Sequence, residues 1–171
     1  MRPQLGPGGR RRCATLRCGA KTSSVATPGA GYHRGVIKYF GSIGDLTAES
    51  LKGGFFEGWP ARPAPETHLK VLQGSNHVVV ARDGTAVVGF INALSDGGFM
   101  AYIPLLEVLP AYRKRGIATE LVERMLETLK GHYHIALLCD PDVQPMYERL
   151  GLIRVPGMVQ VNMEQQAGTP V

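Results

Sequence analysis

The segment Tyr112-Arg113-Lys114-Arg115-Gly116-Ile117-Ala118-Thr119-Glu120-Leu121 follows an apolar run at residues 103–109 and leads into a strongly periodic helical pattern at residues 117–130. A strand, a basic glycine-containing turn and a helix in this order predict an anion site. The first amides of a helix point out of its positive end. Gly116 lacks the Cβ that would hold a phosphate away from the backbone, and Arg113, Lys114 and Arg115 add charge. The segment therefore predicts a site for a phosphorylated ligand.

The overall charge of the chain is misleading as a guide to its partners. The chain has 171 residues, 44% of them hydrophobic, and a formal net charge of +5, which suits one globular domain. Residues 1–44 contain eight cations and no acid, whereas residues 45–171 contain 11 cations and 14 acids, a net charge of −3. We therefore do not expect the folded part to bind nucleic acid. Because no apolar run approaches the roughly 20 residues of a membrane span, we expect a soluble protein without a membrane partner.

The cysteines and histidines do not predict a metal site. Cys13, Cys18 and Cys139 are odd in number, and none of them belongs to a zinc-type spacing. Free thiols in a reducing compartment are the simplest interpretation, with Cys139 as a core thiol. No metal is expected.

The N-terminal segment, residues 1–35, is rich in Gly, Arg, Pro, Ala, Ser and Thr, and we expect it to be disordered. It could be an organelle transit peptide, a translated leader upstream of the true start, or a basic arm that touches nucleic acid. We expect a cytoplasmic protein, or a chloroplast or mitochondrial one if the segment is a transit peptide. A folded domain over residues 36–165 and a flexible C-terminus at residues 166–171 complete the predicted organisation.

The hydrophobic patterns predict a mixed fold. Asp83-Gly84 is a hairpin signal, and the strand–helix–strand order after residue 100 predicts a right-handed crossover and one parallel pair. We therefore expect an α/β (mixed α+β) fold in which helices flank a mostly antiparallel central sheet. Predicted strands lie at residues 36–40, 77–82, 86–93, 100–108, 134–139, 153–155 and 158–163, and predicted helices at residues 46–56, 65–72, 117–130 and 143–150.

Two motifs on this frame resemble those of the GNAT acetyltransferase superfamily. Arg113-Lys114-Arg115-Gly116-Ile117-Ala118 matches the pattern Arg/Gln-x-x-Gly-x-Gly/Ala that follows a central strand of that family. Met146-Tyr147-Glu148-Arg149-Leu150-Gly151-Leu152 resembles its second motif, which ends in Tyr-Glu-x-Leu-Gly-Phe. The resemblance covers residues 36–165, and it implies a parallel pair of strands that splays around the cofactor.

The resemblance implies acetyl-CoA as the acyl donor. Backbone amides of residues 113–118 and the Thr119 hydroxyl would hold the pyrophosphate, and the strand end at Leu106 and Val108 would pair with the pantetheine arm. The implied cofactor-binding set is Leu106, Val108, Arg113, Lys114, Arg115, Gly116, Ile117, Ala118 and Thr119. The simpler alternative for residues 113–115 is a solvated basic turn.

The resemblance also implies a catalytic tyrosine. Tyr147 would protonate the leaving thiolate, and a phenol pKa of about 10 against a thiol pKa of about 8.5 fits that order. Its alternative role is to cap the interface between helix and sheet. Asp140 and Val143 stand where the family often has Asn and Ala, so the role of Asp140 stays open.

The residues on the acceptor side are less well determined by the sequence. Phe56 and Trp59, with Phe55, are predicted to form the walls of the acceptor pocket, and Tyr102 to contact the substrate. The general base could be Tyr102, Glu107, Glu57, Asp96 or a chain of waters. The expected activity is acetyl transfer to a primary amine of a small molecule or peptide by direct attack in a ternary complex. The alternative is a non-enzymatic acyl-CoA-binding module, and either could be a homodimer.

Overall fold

A computed structural model describes residues 36–168. The expectations for residues 1–35, and for residues 169–171 of the predicted flexible C-terminus, lie outside the described residues. Three of the five strands follow one another directly, and helices lie before and after them along the chain. The strands are β1 (Lys38–Phe40), β2 (His77–Asp83), β3 (Ala86–Ser95), β4 (Met100–Val108) and β5 (His134–Leu137). The helices are α1 (Pro65–Gln73), α2 (Ile117–Thr128) and α3 (Gln144–Arg149), with 3₁₀ helices at Ala48–Leu51, Pro110–Tyr112 and Met163–Gln165.

The five strands form a single sheet in the order β1-β2-β3-β4-β5. The first three pairings are antiparallel and the β4–β5 pairing is parallel, which confirms the predicted mixed, mostly antiparallel sheet. The parallel register runs from Met100↔His134 to Ile103↔Leu137 and stops there, although β4 continues to Val108. The register of β4 against β3 also shifts between Asn92 and Leu94. The last five residues of β4 therefore have no partner in β5, and the two strands separate at this end.

The core has one layer on each face of the sheet. On one face α2 buries Ile117, Leu121, Val122 and Met125, and the sheet comes close enough that a Cβ at Gly89 would lie 3.2 Å from Leu121 Cδ1. On the other face the buried ring of Phe90 contacts an aromatic cluster of Phe55, Phe56 and His68. Among residues 36–168, no helix is long and apolar enough to cross a bilayer.

Three predicted elements are wrong: the helix at residues 46–56 and the strands at residues 153–155 and 158–163. Residues 46–56 form only a 3₁₀ turn, because Gly54, Phe56 and Gly58 adopt left-handed conformations (φ 89°, 59° and 87°) that no helix can contain. Residues 153–163 form no strand: Ile153, Val155 and Met158 are 82%, 69% and 101% exposed. Pro156 and Gly157 interrupt the alternating pattern, and proline cannot donate a ladder hydrogen bond. The sheet therefore ends at β5 within the described part of the chain.

Candidate functional site

The separation of β4 from β5 opens a cleft of about 520 Å³. Four parts of the chain line it: β4 from Ile103 to Val108, the basic turn before α2, the segment after β5, and α3. Glu57 and Trp59, from the loop before α1, close the remaining side. The cleft thus brings together both sequence motifs and part of the predicted acceptor wall.

The basic turn before α2 has the backbone shape of an anion cradle. Lys114 and Gly116 are left-handed (φ 61° and 80°), and the first helical hydrogen bond runs from the Glu120 N–H to the Gly116 carbonyl at 3.1 Å. The amides of Ile117, Ala118 and Thr119 precede that bond, so they lie at the positive end of the helix. A Cβ added at Gly116 would meet nothing within 4 Å. The space around Gly116 is therefore open, and a left-handed non-glycine residue such as Lys114 is typical of functional turns.

The three cations of this turn have different environments. Arg113 is anchored: its Nε donates to the Val108 carbonyl at 3.1 Å, and its guanidinium pairs with Glu57 at 3.2 Å. The Arg115 guanidinium lies 4.9 Å from the centre of the Tyr112 ring and is not part of the cleft wall. Lys114 lines the cleft. The sequence did not predict the Arg113–Glu57 pair, because its partners are 56 residues apart.

Tyr147 also lines the cleft. It is carried by α3 and is 8% exposed, and Asp140 and Cys139 line the cleft as well. Burial raises the pKa of the Cys139 thiol, and the neighbouring carboxylate of Asp140 raises it further. Cys139 therefore stays protonated near neutral pH and is a poor nucleophile. It is only partly buried and lines the cleft, so the prediction of a core thiol is wrong, although the thiol is free as predicted.

Glu107 is one of three carboxylates that line the cleft, together with Glu57 and Asp140. It pairs directly with Phe90 across β3 and β4, so its side chain lies on the same face as the aromatic cluster. Its carboxylate accepts the backbone N–H of Phe56. Burial raises the pKa of Glu107, while Arg113 and the Phe56 amide lower it and Glu57 raises it slightly. The sequence could not predict this orientation, because the alternation of side chains along a strand does not say which of them face the cleft.

The predicted acceptor residues occupy three different positions. Trp59 lines the cleft, and Phe56 packs directly behind it with ring centres 5.2 Å apart. Phe56 is itself buried, so it supports the wall rather than forming its surface. Tyr102 lies outside the cleft lining, at the end of β4 that is paired with β5. Of the predicted substrate residues, only Trp59 is therefore on the cleft surface.

Asp96, the remaining acidic candidate for the general base, does not line the cleft. Its carboxylate accepts the N–H groups of Gly98, Phe99 and Met100 at 2.8–3.0 Å. These bonds lower its pKa and fix it as the cap of the β3–β4 turn. Within residues 36–168, no group of three or more His, Cys, Asp or Glu side chains could hold a metal ion.

Comparisons with known proteins agree with this geometry. Residues 45–152 match the family model described as "Acetyltransferase (GNAT) family". The solved structure of a protein from Deinococcus radiodurans, assigned as an acetyltransferase, superimposes with a TM-score of 0.75 at 43% identity, covering 79% of this chain and 94% of that one.

Two curated relatives are more distant. The uncharacterized N-acetyltransferase ycf52 of Pyropia yezoensis is 28% identical over 108 residues, which are 60% of this chain and 62% of that protein. "GCN5-related N-acetyltransferase 3, chloroplastic" of Arabidopsis thaliana is 36% identical over 78 residues, 44% of this chain and 33% of that protein. The chain thus matches less than two thirds of the length of these relatives.

Proposed function

Because the chain belongs to the GNAT acetyltransferase family, we propose that it transfers an acetyl group from acetyl-CoA to a primary amine of a small molecule or peptide. The observation that carries this proposal is the convergence of three features in one cleft. These are the open amide cradle at Gly116, the unpaired end of β4 and the buried Tyr147. Each feature suits a different part of one extended thioester ligand.

The cleft residues fit the donor part by part. The amides of residues 116–119 and Lys114 suit the pyrophosphate, since helix N-termini and cations both favour anions. The β4 main chain between Pro104 and Glu107 suits the amide-bearing pantetheine arm, which can pair with it as an added strand would. Residues 45–171 carry a net negative charge, so the basic turn is a local positive site that attracts anions.

Direct attack in a ternary complex is the proposed reaction. The amine nitrogen attacks the thioester carbonyl, and the thiolate leaves. Tyr147 donates its phenolic proton to that thiolate. Trp59 and the support of Phe56 behind it give the acceptor an apolar wall, which favours an amine attached to an apolar group.

An organelle location is part of the proposal. A relative from Arabidopsis carries the word chloroplastic in its name. Residues 1–35 have the arginine and serine content and the lack of acids of a transit peptide. Mass spectrometry of the N-terminus of the native protein tests this, because a processed protein would begin close to Val36.

The test of the activity measures free-thiol release from acetyl-CoA with a panel of primary amines. Tyr147→Phe should lower kcat at least about tenfold with little change in the KM for acetyl-CoA. Tyr133→Phe is the matched control, because Tyr133 is exposed and lies outside the cleft, and it should match wild type.

Two outcomes would count against the proposal. Acetyl-CoA binding without thiol release for any amine would favour a non-enzymatic acyl-CoA-binding module. Equal turnover of Tyr147→Phe and Tyr133→Phe would remove Tyr147 as the acid.

A further inference from the structure

We propose that Glu107 is the general base that takes the proton from the acceptor amine. The inference rests on the proposed acetyl transfer and names the group that this reaction still lacks. An alkylamine reaches the cleft as an ammonium ion, which has no free electron pair. A carboxylate at the acceptor wall both attracts that cation and removes its proton.

The structure argues against the other three side chains that the sequence offers as the base. Asp96 is occupied by three backbone N–H groups at the β3–β4 turn, outside the cleft. Glu57 is neutralised by Arg113 at 3.2 Å and is half exposed at the rim. Tyr102 does not line the cleft. Of these four side chains Glu107 remains, and it lies on the end of β4 that has no partner in β5 and borders the cleft.

The surroundings of Glu107 suit a base. Glu107 lies beside the apolar ring of Phe90 on β3. The loop before α1 contributes the Phe56 amide and the carboxylate of Glu57, and the turn before α2 contributes the Arg113 guanidinium. His68, on α1, is the titratable group of the same aromatic layer, and burial keeps it neutral. Arg113 divides its donors between Val108 and Glu57, so it compensates Glu107 only in part. Burial raises the pKa of Glu107, and a carboxylate with a raised pKa is a stronger base near neutral pH.

The Phe56 backbone supports this role. Its left-handed φ of 59° is unusual for a bulky residue, and it directs the Phe56 N–H at the carboxylate. A conformation that costs about 1 kcal/mol or more persists where the surroundings hold it in place, typically at functional sites. The loop that carries Trp59 is thereby tied to the proposed base.

The protons balance over the cycle. Glu107 takes one proton from the ammonium, and the C–N bond forms as the C–S bond breaks. The thiolate takes the phenolic proton of Tyr147, and the second proton lost by nitrogen returns to the tyrosinate. Glu107 then releases its proton to solvent, so both groups regain their starting states.

The experiment compares two amines that differ in their need for a base. Phenethylamine is an ammonium ion at neutral pH, whereas hydroxylamine is mostly unprotonated there. Glu107→Gln should lose at least about 100-fold in kcat/KM with phenethylamine and stay within about threefold of wild type with hydroxylamine, after subtraction of the uncatalysed rate. Wild-type kcat/KM with phenethylamine should rise with pH through the raised pKa of Glu107, and the variant should lack that limb.

The controls separate a base from a structural group. Glu107→Gln keeps an acceptor for the Phe56 N–H and should bind acetyl-CoA as wild type does, and Glu107→Asp should retain part of the activity. Glu123→Gln, on the exposed face of α2, should match wild type. Equal losses with both amines, or no loss with phenethylamine, would overturn the assignment. If wild type releases no thiol with either amine, the proposed function fails and the assignment of Glu107 fails with it.

Discussion

Replacing His68 should remove a large part of the acid sensitivity of the fold. His68 is 2% exposed between the rings of Phe55, Phe56 and Phe90, and its Nε2 has no hydrogen-bond partner in the described part of the chain. Burial lowers the pKa of His68 to about 4. The imidazole must therefore be neutral in the folded protein at pH 7.

The size of the effect follows from the two protonation equilibria. The unfolded chain takes up this proton near pH 6.5 and the folded chain only near pH 4, so the unfolded state binds more protons between these values. The stability contributed by neutral His68 is complete above about pH 6.5 and is lost as the pH falls. The full loss is about 3 kcal/mol, of which about 2 kcal/mol occurs between pH 7.5 and pH 5.

Urea unfolding of wild type and His68→Leu at pH 7.5 and pH 5 measures this directly. The difference in unfolding free energy between the two proteins should shift by about 2 kcal/mol in favour of the variant on going to pH 5. Other titrating groups contribute equally to both proteins and cancel. A difference that is the same at both pH values, or an imidazole that titrates near 6.5 in the folded protein by NMR, would refute the reasoning.

Two further predictions concern the cradle and the core. Gly116→Ala should cost about 1–2 kcal/mol of stability, because Gly116 has a φ of 80°. It should also weaken acetyl-CoA binding, because Gly116 lines the cleft and the added methyl group would occupy open space there. Urea unfolding and isothermal titration would measure the two effects, and unchanged affinity would show that the ligand phosphates lie elsewhere. Leu121→Ala should cost about 3 kcal/mol in urea unfolding, since Leu121 is fully buried between α2 and the sheet, and a loss below about 1 kcal/mol would mean that the site collapses around the smaller side chain.

The elements that the sequence predicts correctly are those whose signals are local. The 3.6-residue period of α2 and the hairpin turn at Asp83-Gly84 each lie within a few residues, and both match the structure. The antiparallel order and the parallel crossover follow from the sequence of elements. The two motifs predict the position of the cleft, because one lies at the start of α2 and the other on α3, and both helices border it.

Features that depend on long-range geometry escape sequence reasoning. The left-handed Phe56 lies in a pattern that otherwise resembles a helix, and only its tertiary surroundings hold that conformation. The orientation of Glu107 depends on its register with Phe90, 17 residues away, which periodicity does not contain. Residues 153–163 have the composition of strands but no partner strand in the described chain.

The ion pair between Arg113 and Glu57 connects the two halves of the cleft, since Arg113 belongs to the anion cradle and Glu57 to the loop that carries Trp59. An anion that draws Arg113 toward itself loosens Glu57, and an ammonium ion that draws Glu57 frees Arg113. The occupancy of one half therefore changes the affinity of the other, and thermodynamic reciprocity makes the factor equal in both directions. Because the pair is partly solvated, the coupling is limited to about 1 kcal/mol, roughly a fivefold change in affinity. If the proposed donor and acceptor occupy these two halves, this partly exposed ion pair would couple their binding before any bond is made.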